Sequence, residues 1–396
     1  MIPSGVFAQG SDTLKVGLIG CGGRGTGAII DSMNADPAIK LWAMGDVFRH
    51  RIDDCLKTVN DQQKGRADVA NDRMFVGFDA FEHVLKTGVD LVILATPPAF
   101  RATHLKAAIT AGKHVFMEKP VAVDAPGVRS VIESSAMAKQ KGLAIVCGTQ
   151  RRHDLAYLEA MKQIHAGAIG DVVAVYAYWN QGGLWMNPRE AAWGDMEWQL
   201  RNWLYFTWLS GDHIVEQHVH NLDIGNWAMN GHPVKATCLG GRQVRTDAAY
   251  GHIFDHFATE YEYENGVKMS SMCRQIDGTA SRVSEHIIGT KGSSNGNTWI
   301  KGEKSWKWDG ERPNPYMLEH KDLIASIRSG KPLNEGQRIA ETTMTAILGR
   351  MSAYSGQEVT WEQAMASDVS LMPTTLSMDA KLTVPPVAVP GKSPIA

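Results

Sequence analysis

The chain has 396 residues, and its 40 lysines and arginines are balanced by 42 aspartates and glutamates. One hydrophobic core rarely grows beyond about 250 to 300 residues, so this length predicts two domains. The near-neutral charge argues against a nucleic-acid or anionic-membrane partner, because such partners require a strongly basic surface. We therefore expect a small-molecule partner.

The N-terminus and the cysteines bear on the cellular compartment. The stretch "MIPSGVFAQGSD" contains Val6-Phe7-Ala8, which has the small-residue spacing of a signal-peptidase site. We interpret residues 1–12 as the remainder of an export signal and expect a periplasmic or exported protein; an ordinary leader on a cytoplasmic protein is the alternative. The five scattered cysteines form no CxxC pair, so neither a disulfide framework nor a zinc ribbon is indicated. No apolar run reaches about 18 residues, so no membrane span is expected.

A glycine-rich loop follows the first predicted strand. The apolar segment Leu14–Ile19 leads into "GCGGRG" and then into a helical pattern. Glycines at these positions let the backbone turn tightly and approach a pyrophosphate, which then lies at the N-terminus of the helix. The predicted cofactor contacts from this loop are Gly20, Gly22, Gly23, Arg24 and Gly25.

The second predicted strand, "IKLWAMGD", ends in Asp46, which lies 21 positions beyond Gly25. A carboxylate at this distance can accept hydrogen bonds from both ribose hydroxyls, which favours NAD over NADP. Arg49 and Arg51 follow closely and could instead bind a 2′-phosphate.

The next segments continue the alternation of strands and helices. "GVDLVILATPP" is a continuous apolar run typical of a parallel strand that is covered on both faces, and it ends at Thr96-Pro97-Pro98. An amphipathic helix closed by Gly112, the strand "HVFME" and the strand in "GLAIVCGTQ" follow. This pattern predicts a doubly wound parallel sheet over residues 13–150.

Several further motifs, which follow one another along the chain, are specific enough to indicate a protein family. They are Thr96-Pro97-Pro98, His104, Glu118-Lys119-Pro120, Gly148–His153, His220–Asp223 and Ile287–Ser293. From Leu14 to about Met365 the chain resembles the Gfo/Idh/MocA family, named for glucose-fructose oxidoreductase, inositol dehydrogenase and a rhizopine-catabolism protein. The resemblance implies an α/β Rossmann domain followed by an α+β domain, residues 151–365, with an open, largely antiparallel sheet. In the family this sheet carries the substrate site and often an oligomer interface.

The resemblance also implies an activity, which is hydride transfer between a nicotinamide and a carbinol of a sugar or cyclitol. Lys119 would lie between nicotinamide and substrate, where a desolvated lysine can act as a general base or hold the substrate hydroxyl. The cofactor contacts carried over from the family are Thr96, Pro97, His104, Glu118 and Lys119. Gln150 and Arg152, in the motif "GTQRRH", are carried over to the substrate site.

Residues after Gln150 change in composition. Six of the twelve tryptophans fall between Trp179 and Trp208. Indole faces suit the C–H faces of sugar rings, so Trp179 and the neighbouring Asn180 favour a carbohydrate cleft, although a structural role is the default for any one tryptophan. Asn265-Gly266 indicates a hairpin, and Arg274 at a strand end either lines the cleft or lies on the surface.

The polar segment "SGDHIVEQHVHNLD" combines carboxylates and histidines. Glu216, His220 and Asp223 have i, i+4, i+7 spacing and would share one face of a helix, with Glu216 at a position usually held by aspartate in the family. His220 would exchange a proton with the reacting hydroxyl, Glu216 would orient that site, and Asp223 would contact substrate. His218 is a further substrate contact; if the segment were a strand, Glu216, His218 and His220 could hold a metal, but with a helix no metal is expected.

Residues 366–396 contain "LTVPPVAVPGKSP" and predict an extended, proline-rich tail that either wraps a neighbouring subunit or is disordered. The leading functional hypothesis is an NAD-dependent oxidoreductase acting on a sugar, glycoside or cyclitol, expected as a homo-oligomer, a dimer or tetramer. The first alternative is an NAD-dependent glycoside hydrolase that oxidises transiently, with His218 as an extra base. An exported location would favour a tightly held cofactor. A non-catalytic sugar sensor is the third reading, which the presence of Lys119 and His220 disfavours.

Overall fold

The structure is a computed structural model that describes residues 13–395 of the chain. The predicted export signal, residues 1–12, lies outside the described residues. Within residues 13–395, no helix has the length and apolar character needed to cross a bilayer.

The first domain is built on a six-stranded parallel sheet with strand order β3-β2-β1-β4-β5-β6. Its elements in chain order are β1 Leu14–Ile19, α1 Gly23–Ala35, β2 Ile39–Asp46, α2 Arg49–Gln62, β3 Met74–Val76, α3 Ala80–Leu85, β4 Leu91–Leu94, α4 Arg101–Thr110, β5 His114–Met117, α5 Ala125–Lys141 and β6 Ile145–Cys147. All four residues of β4 are buried, as the apolar run predicts for a strand covered on both faces. The predicted doubly wound sheet is confirmed.

The second domain is built on a nine-stranded sheet with strand order β14-β13-β12-β11-β7-β10-β9-β8-β15. Its elements are α6 Leu155–His165, β7 Val172–Gln181, α7 Asp195–Arg201, α8 Thr207–Ser210, α9 His213–Glu216, α10 Val219–Met229, β8 Lys235–Gly241, β9 His256–Glu262, β10 Lys268–Gln275, β11 Arg282–Gly289, β12 Gly292–Ser294, β13 Trp299–Gly302, β14 Trp306–Lys307, α11 Pro315–Arg328, α12 Gly336–Ser355, β15 Val359–Thr360 and α13 Trp361–Ala366. Only the β7–β10 pair is parallel. The largely antiparallel sheet is therefore confirmed, as is the hairpin at Asn265-Gly266, which joins β9 to β10.

The two faces of this sheet have different surroundings. Val175, Ala177 and Met269 are buried beneath the helices, as the two-residue period of a strand requires. The opposite, open face carries a cross-strand row of apolar residues that includes Leu239 and Met272. Helices α9 and α10, which carry Glu216 and His220, pack on the inner face next to the first domain.

The C-terminal part of the chain ties the two domains together. Leu323, Ile324 and Ile327 of α11 complete a core cluster of the first domain, although the predicted boundary places this helix in the second. Residues 366–395 have no regular structure beyond α13 and lie along their own chain. Arg129 donates to the carbonyls of Met365 and Ser367. Leu371, Met372 and Leu382 of this tail are partly buried against an apolar cluster of the same chain, whereas Val369, Leu376 and Val389 are exposed.

Candidate active site

The glycine-rich loop has the geometry of a pyrophosphate cradle. Gly20 has a φ of +93°, which disfavours a residue with a side chain, and a Cβ there would lie 2.5 Å from the Thr96 nitrogen. A Cβ at Gly25 would collide with the carbonyl of Gly20, whereas Gly22 and Gly23 face open space. The 13-residue helix α1 starts at Gly23 and directs its N-terminal N–H groups to that space. The predicted loop residues therefore fit a dinucleotide.

Asp46 lies beside this loop at the end of β2. Its carboxylate accepts hydrogen bonds from the backbone nitrogens of Cys21 at 2.7 Å and Phe48 at 2.9 Å, which aim it at the loop. Burial raises the pKa of Asp46, and the two N–H donors oppose that rise. Arg49 is paired with Asp53 at 3.0 Å and does not line the cofactor cavity, although Arg51 does. The carboxylate is positioned to bind ribose hydroxyls.

A cavity of about 560 Å³ extends from the loop along Asp46, and Thr96, Pro97 and His104 line it as predicted. The His104 ring lies 4.3 Å from that of Phe81 and 5.9 Å from that of Phe100. Burial and the nearby Arg101 guanidinium lower the pKa of His104 to about 3. His104 is therefore a neutral packing residue that shapes the cofactor cavity.

Glu118 and Arg24 contact each other at the end of β5. The Arg24 Nε donates to Glu118 at 2.5 Å, and Arg24 also lies 3.4 Å from the buried Glu319. Burial alone would lower the pKa of Arg24, but the negative charges of Glu118 and Glu319 together raise it. Arg24 remains on the cavity wall, yet its guanidinium is directed to the two carboxylates. Its main structural effect is to hold Glu118 in place.

Lys119 joins the two domains. Its Nζ donates to the backbone carbonyl of Glu216 at 2.6 Å and to the Glu216 Oε1 at 2.9 Å. The two side chains are only 11% and 8% exposed. The second carboxylate oxygen of Glu216 is buried and has no hydrogen-bond partner within residues 13–395. It is an acceptor that a substrate hydroxyl can satisfy.

His220 lies next to this pair. Its ring stacks on Trp179, with ring centroids 5.7 Å apart and an interplanar angle of 20°. Burial, followed by the positive charges of Lys119 and Arg151, lowers the pKa of His220 well below its usual value. The imidazole is therefore neutral at neutral pH and can accept a proton.

The expected single helix through these residues is wrong. Helix α9 ends at Glu216 and α10 begins at Val219, so the helix is interrupted at Gln217 and His218. In an unbroken helix the Glu216 carbonyl would accept from the His220 nitrogen. The break leaves this carbonyl to Lys119, whose ammonium thereby gains a backbone anchor.

The Asp223 carboxylate, expected to contact substrate, is buried and bonded to three side chains of the protein. Its carboxylate accepts from Arg152 at 2.7 and 3.0 Å, from Arg338 at 3.2 Å and from Thr342 at 3.0 Å. Burial would raise the pKa of Asp223, but the two arginines hold it below its usual value. Arg152 is occupied by the same ion pair. Asp223 thereby joins α10 to Arg338 and Thr342 of α12, and Arg152 attaches the turn before α6 to the same carboxylate.

Three other predicted substrate contacts, Asn180, Arg274 and His218, have different surroundings. Asn180 and Arg274 are register partners on the open face of the sheet, since side chains alternate and Trp179 points inward. The fully buried His218 is bonded to the Ser271 hydroxyl at 2.6 Å, and burial followed by the charges of His213 and Arg151 lowers its pKa to about 3.

Gln150 donates to the Tyr316 hydroxyl at 3.0 Å, on the side of the site near Arg24. No group of three or more histidine, cysteine, aspartate or glutamate side chains in the described chain is placed to hold a metal ion.

Arg151 is a site residue that the sequence patterns did not single out. Its guanidinium lies 5.7 Å from the centre of the Trp179 ring, donates to Asn221 at 3.1 Å and pairs with Glu285. It brings a buried positive charge close to His220. The motif "GTQRRH" contains Arg151, but nothing local distinguishes it from Arg152.

Comparisons with known proteins agree with this geometry. Residues 14–149 match the family described as an oxidoreductase family with an NAD-binding Rossmann fold, and residues 157–295 match the GFO/IDH/MocA C-terminal domain. The chain is 26% identical over 257 residues to an inositol 2-dehydrogenase of Gluconacetobacter diazotrophicus, covering 65% of this chain and 66% of that protein.

A second relative is scyllo-inositol 2-dehydrogenase (NAD(+)) of Bacillus subtilis. The chain is 26% identical to it over 246 residues, covering 60% of this chain and 65% of that protein. The chain thus spans about two thirds of the length of the curated relatives that it matches. Among solved structures, scyllo-inositol dehydrogenase from Lactobacillus casei with bound NAD(H) and scyllo-inositol has a TM-score of 0.67 at 18% identity, covering 88% of this chain and 99% of that one.

The two matched segments together cover more than half of the chain, and they coincide with the parallel-sheet domain and the second sheet domain. The predicted resemblance and the predicted NAD-binding domain are confirmed. The chain belongs to the Gfo/Idh/MocA oxidoreductase family, with an NAD-binding Rossmann domain joined to a GFO/IDH/MocA C-terminal domain.

Proposed function

We propose that the protein is an NAD-dependent oxidoreductase that transfers a hydride between the nicotinamide and a ring hydroxyl of a sugar, glycoside or cyclitol. The observation that carries this proposal is the contact of Lys119 with Glu216, beside the neutral His220. It places a proton donor, an unsatisfied acceptor and a proton acceptor where the two domains meet. The similarity to inositol dehydrogenases supports the choice of substrate class.

Each residue then has a distinct part in the reaction. When bound, NAD supplies the nicotinamide that accepts the hydride from the carbinol carbon. His220 takes the hydroxyl proton, because its imidazole is neutral and makes no hydrogen bond to any described residue. Lys119 donates to the reacting oxygen, and Glu216 holds the lysine in position. Trp179 offers an apolar ring face to the C–H face of the substrate.

The glycoside-hydrolase alternative is not favoured. That mechanism needs a further base for elimination, and His218 was the candidate. His218 is fully buried and its Nε2 is bonded to the Ser271 hydroxyl, which disfavours that role. The curated relatives described above are dehydrogenases.

The test uses the purified full chain and a panel of cyclitols, sugars and glycosides, with formation of NADH followed by fluorescence. We expect NADH in stoichiometric amounts and an intact glycosidic bond. Lys119→Met should retain NADH binding but lose about two orders of magnitude in turnover, the usual scale for an acid/base group. Lys106→Met, an exposed lysine on α4, is the control. Wild-type turnover in Lys119→Met would overturn the proposal.

We also propose that the chain forms a homo-oligomer through the open face of the nine-stranded sheet. Leu239 is 76% exposed and Met272 is 43% exposed, and both belong to the cross-strand apolar row on that face. Exposed contiguous apolar surface of this kind is typical of association sites. Light scattering should show a dimer or tetramer that Leu239→Lys with Met272→Lys dissociates. A wild-type monomer would contradict this proposal.

A further inference from the structure

The cofactor cavity has a wall that the Rossmann domain does not supply. Asp46 marks the side where the adenosine ribose lies, so the adenosine half of a dinucleotide extends along this part of the cavity. The same cavity is also lined by Trp185, Asn187, Arg201 and Trp203, which come from the second domain. We call these four residues the second-domain wall. Nothing in the glycine-loop pattern predicts them.

We propose that the second-domain wall is part of the cofactor site: it covers the adenosine half of NAD, so that the cofactor leaves only when the wall moves. This inference rests on the proposed use of NAD and adds residues that bind it. Trp185 is 46% exposed, which is unusual for an indole in a segment that otherwise packs into a core. The rings of Trp185 and Trp203 lie 6.2 Å apart and present apolar faces suited to a purine.

The wall is held rigidly within the second domain. The Asn187 nitrogen donates to the Asn202 side-chain oxygen at 2.8 Å, and the Asn202 amide donates back to the Asn187 carbonyl at 3.0 Å. The Tyr205 hydroxyl donates to the Trp185 carbonyl at 2.8 Å. The loop that carries Trp185 and Asn187 is thereby fastened to the segment that carries Trp203.

The wall is also attached to the first domain. The Arg201 guanidinium lies 4.4 Å from the Phe48 ring centre, next to Asp46, and is paired with Glu197 at 2.8 Å. Cation–π contact of this kind favours the closed arrangement of the two domains.

The C-terminal segment supports the wall from behind. The Leu382 nitrogen donates to Asp195 at 3.3 Å, and the Leu371 nitrogen donates to Asp124 of the first domain at 2.8 Å. Leu371 and Leu382 pack against the same apolar cluster as Trp203. Moving the wall away from the cavity would disturb these contacts, so release of the cofactor is expected to be slow.

The experiment measures NADH release rather than turnover. The full chain is loaded with NADH, excess NAD is added, and the loss of tryptophan-to-NADH energy transfer is followed by stopped flow. Stacking of a base on an aromatic side chain corresponds to about 5- to 150-fold in affinity, so Trp185→Ala with Trp203→Ala should release NADH at least about fivefold faster. Trp308→Ala, which directly follows β14 and does not line the cavity, should release NADH at the wild-type rate.

Two further measurements separate the wall from general damage to the fold. Trp185→Phe keeps an aromatic face and should retain slow release even if the alanine variants are unstable. Reduced nicotinamide mononucleotide lacks the adenosine, so its release should not change in any wall variant. Equal NADH release rates in wild type, Trp185→Phe and the alanine variants would overturn the inference while leaving the proposed activity intact. Slow release without turnover on any carbohydrate would overturn only the activity.

Discussion

The buried ion pair between Lys119 and Glu216 should contribute measurably to the free energy of unfolding. The perturbation is a double-mutant cycle of Lys119→Met, Glu216→Gln and the combined variant. The pair is short, 2.9 Å between Nζ and Oε1, and the two side chains are 11% and 8% exposed. Removal of one partner from such a buried pair leaves an uncompensated charge and costs about 3–5 kcal/mol of unfolding free energy.

The combined variant removes both charges and leaves neither unpaired, so its cost should be smaller than the sum of the two single costs. We therefore expect a coupling free energy of about 2–3 kcal/mol between the two positions. The assay is urea unfolding followed by tryptophan fluorescence, with NADH binding checked on each variant.

The exposed pair of Lys162 and Glu159, 3.3 Å apart on α6, provides the matched control and should show no measurable coupling. A coupling for Lys119 and Glu216 no larger than that of this control pair would refute the reasoning. It would mean that the lysine is not held by the carboxylate.

Two further predictions concern the cradle and the domain contact. Gly25→Val should abolish NADH binding in a fluorescence titration, since a side chain there meets the loop backbone, whereas Gly231→Ala, which lies outside the cofactor cavity and places its Cβ 4.0 Å from the nearest atom, should bind NADH as wild type does. The buried His153 contacts Asp322 at 2.6 Å and Glu335 at 3.6 Å, and although burial alone would lower its pKa, these carboxylates raise it to about 9. The interaction of protonated His153 with the two carboxylates stabilises the fold fully below about pH 6.5, and this stabilisation is lost as the pH rises through 9. The substitution His153→Gln should therefore lower the free energy of unfolding by about 2–3 kcal/mol at pH 6 and by little at pH 10. An equal cost at both pH values would contradict this assignment.

The first domain could be predicted well because its determinants are local. Gly20, Gly22 and Gly25 occupy one strand–turn–helix unit, where spacing along the chain sets spacing in space. The continuous apolar run of β4 similarly indicates its burial on both faces. The motif at Glu118-Lys119 places a lysine at the end of β5 in the cofactor domain, where it contacts the second domain.

The second domain shows where local patterns stop being informative. The i, i+4 spacing brought Glu216 and His220 together, but it also predicted an unbroken helix. That helix is interrupted where Lys119, 97 residues away, takes the Glu216 carbonyl. A contact of such separation competes with local helix formation and leaves no trace in the periodicity of the segment.

The sequence by itself determined the two-domain division, the dinucleotide loop and the chemical types of Lys119, Glu216 and His220. Only the tertiary structure decided which polar groups are free to act. Asp223 is neutralised by Arg152 and Arg338, the second of which lies 115 residues away, and sheet register turns Asn180 away from the site. Burial and charge pairing depend on what packs around a side chain, and that is set by the whole fold.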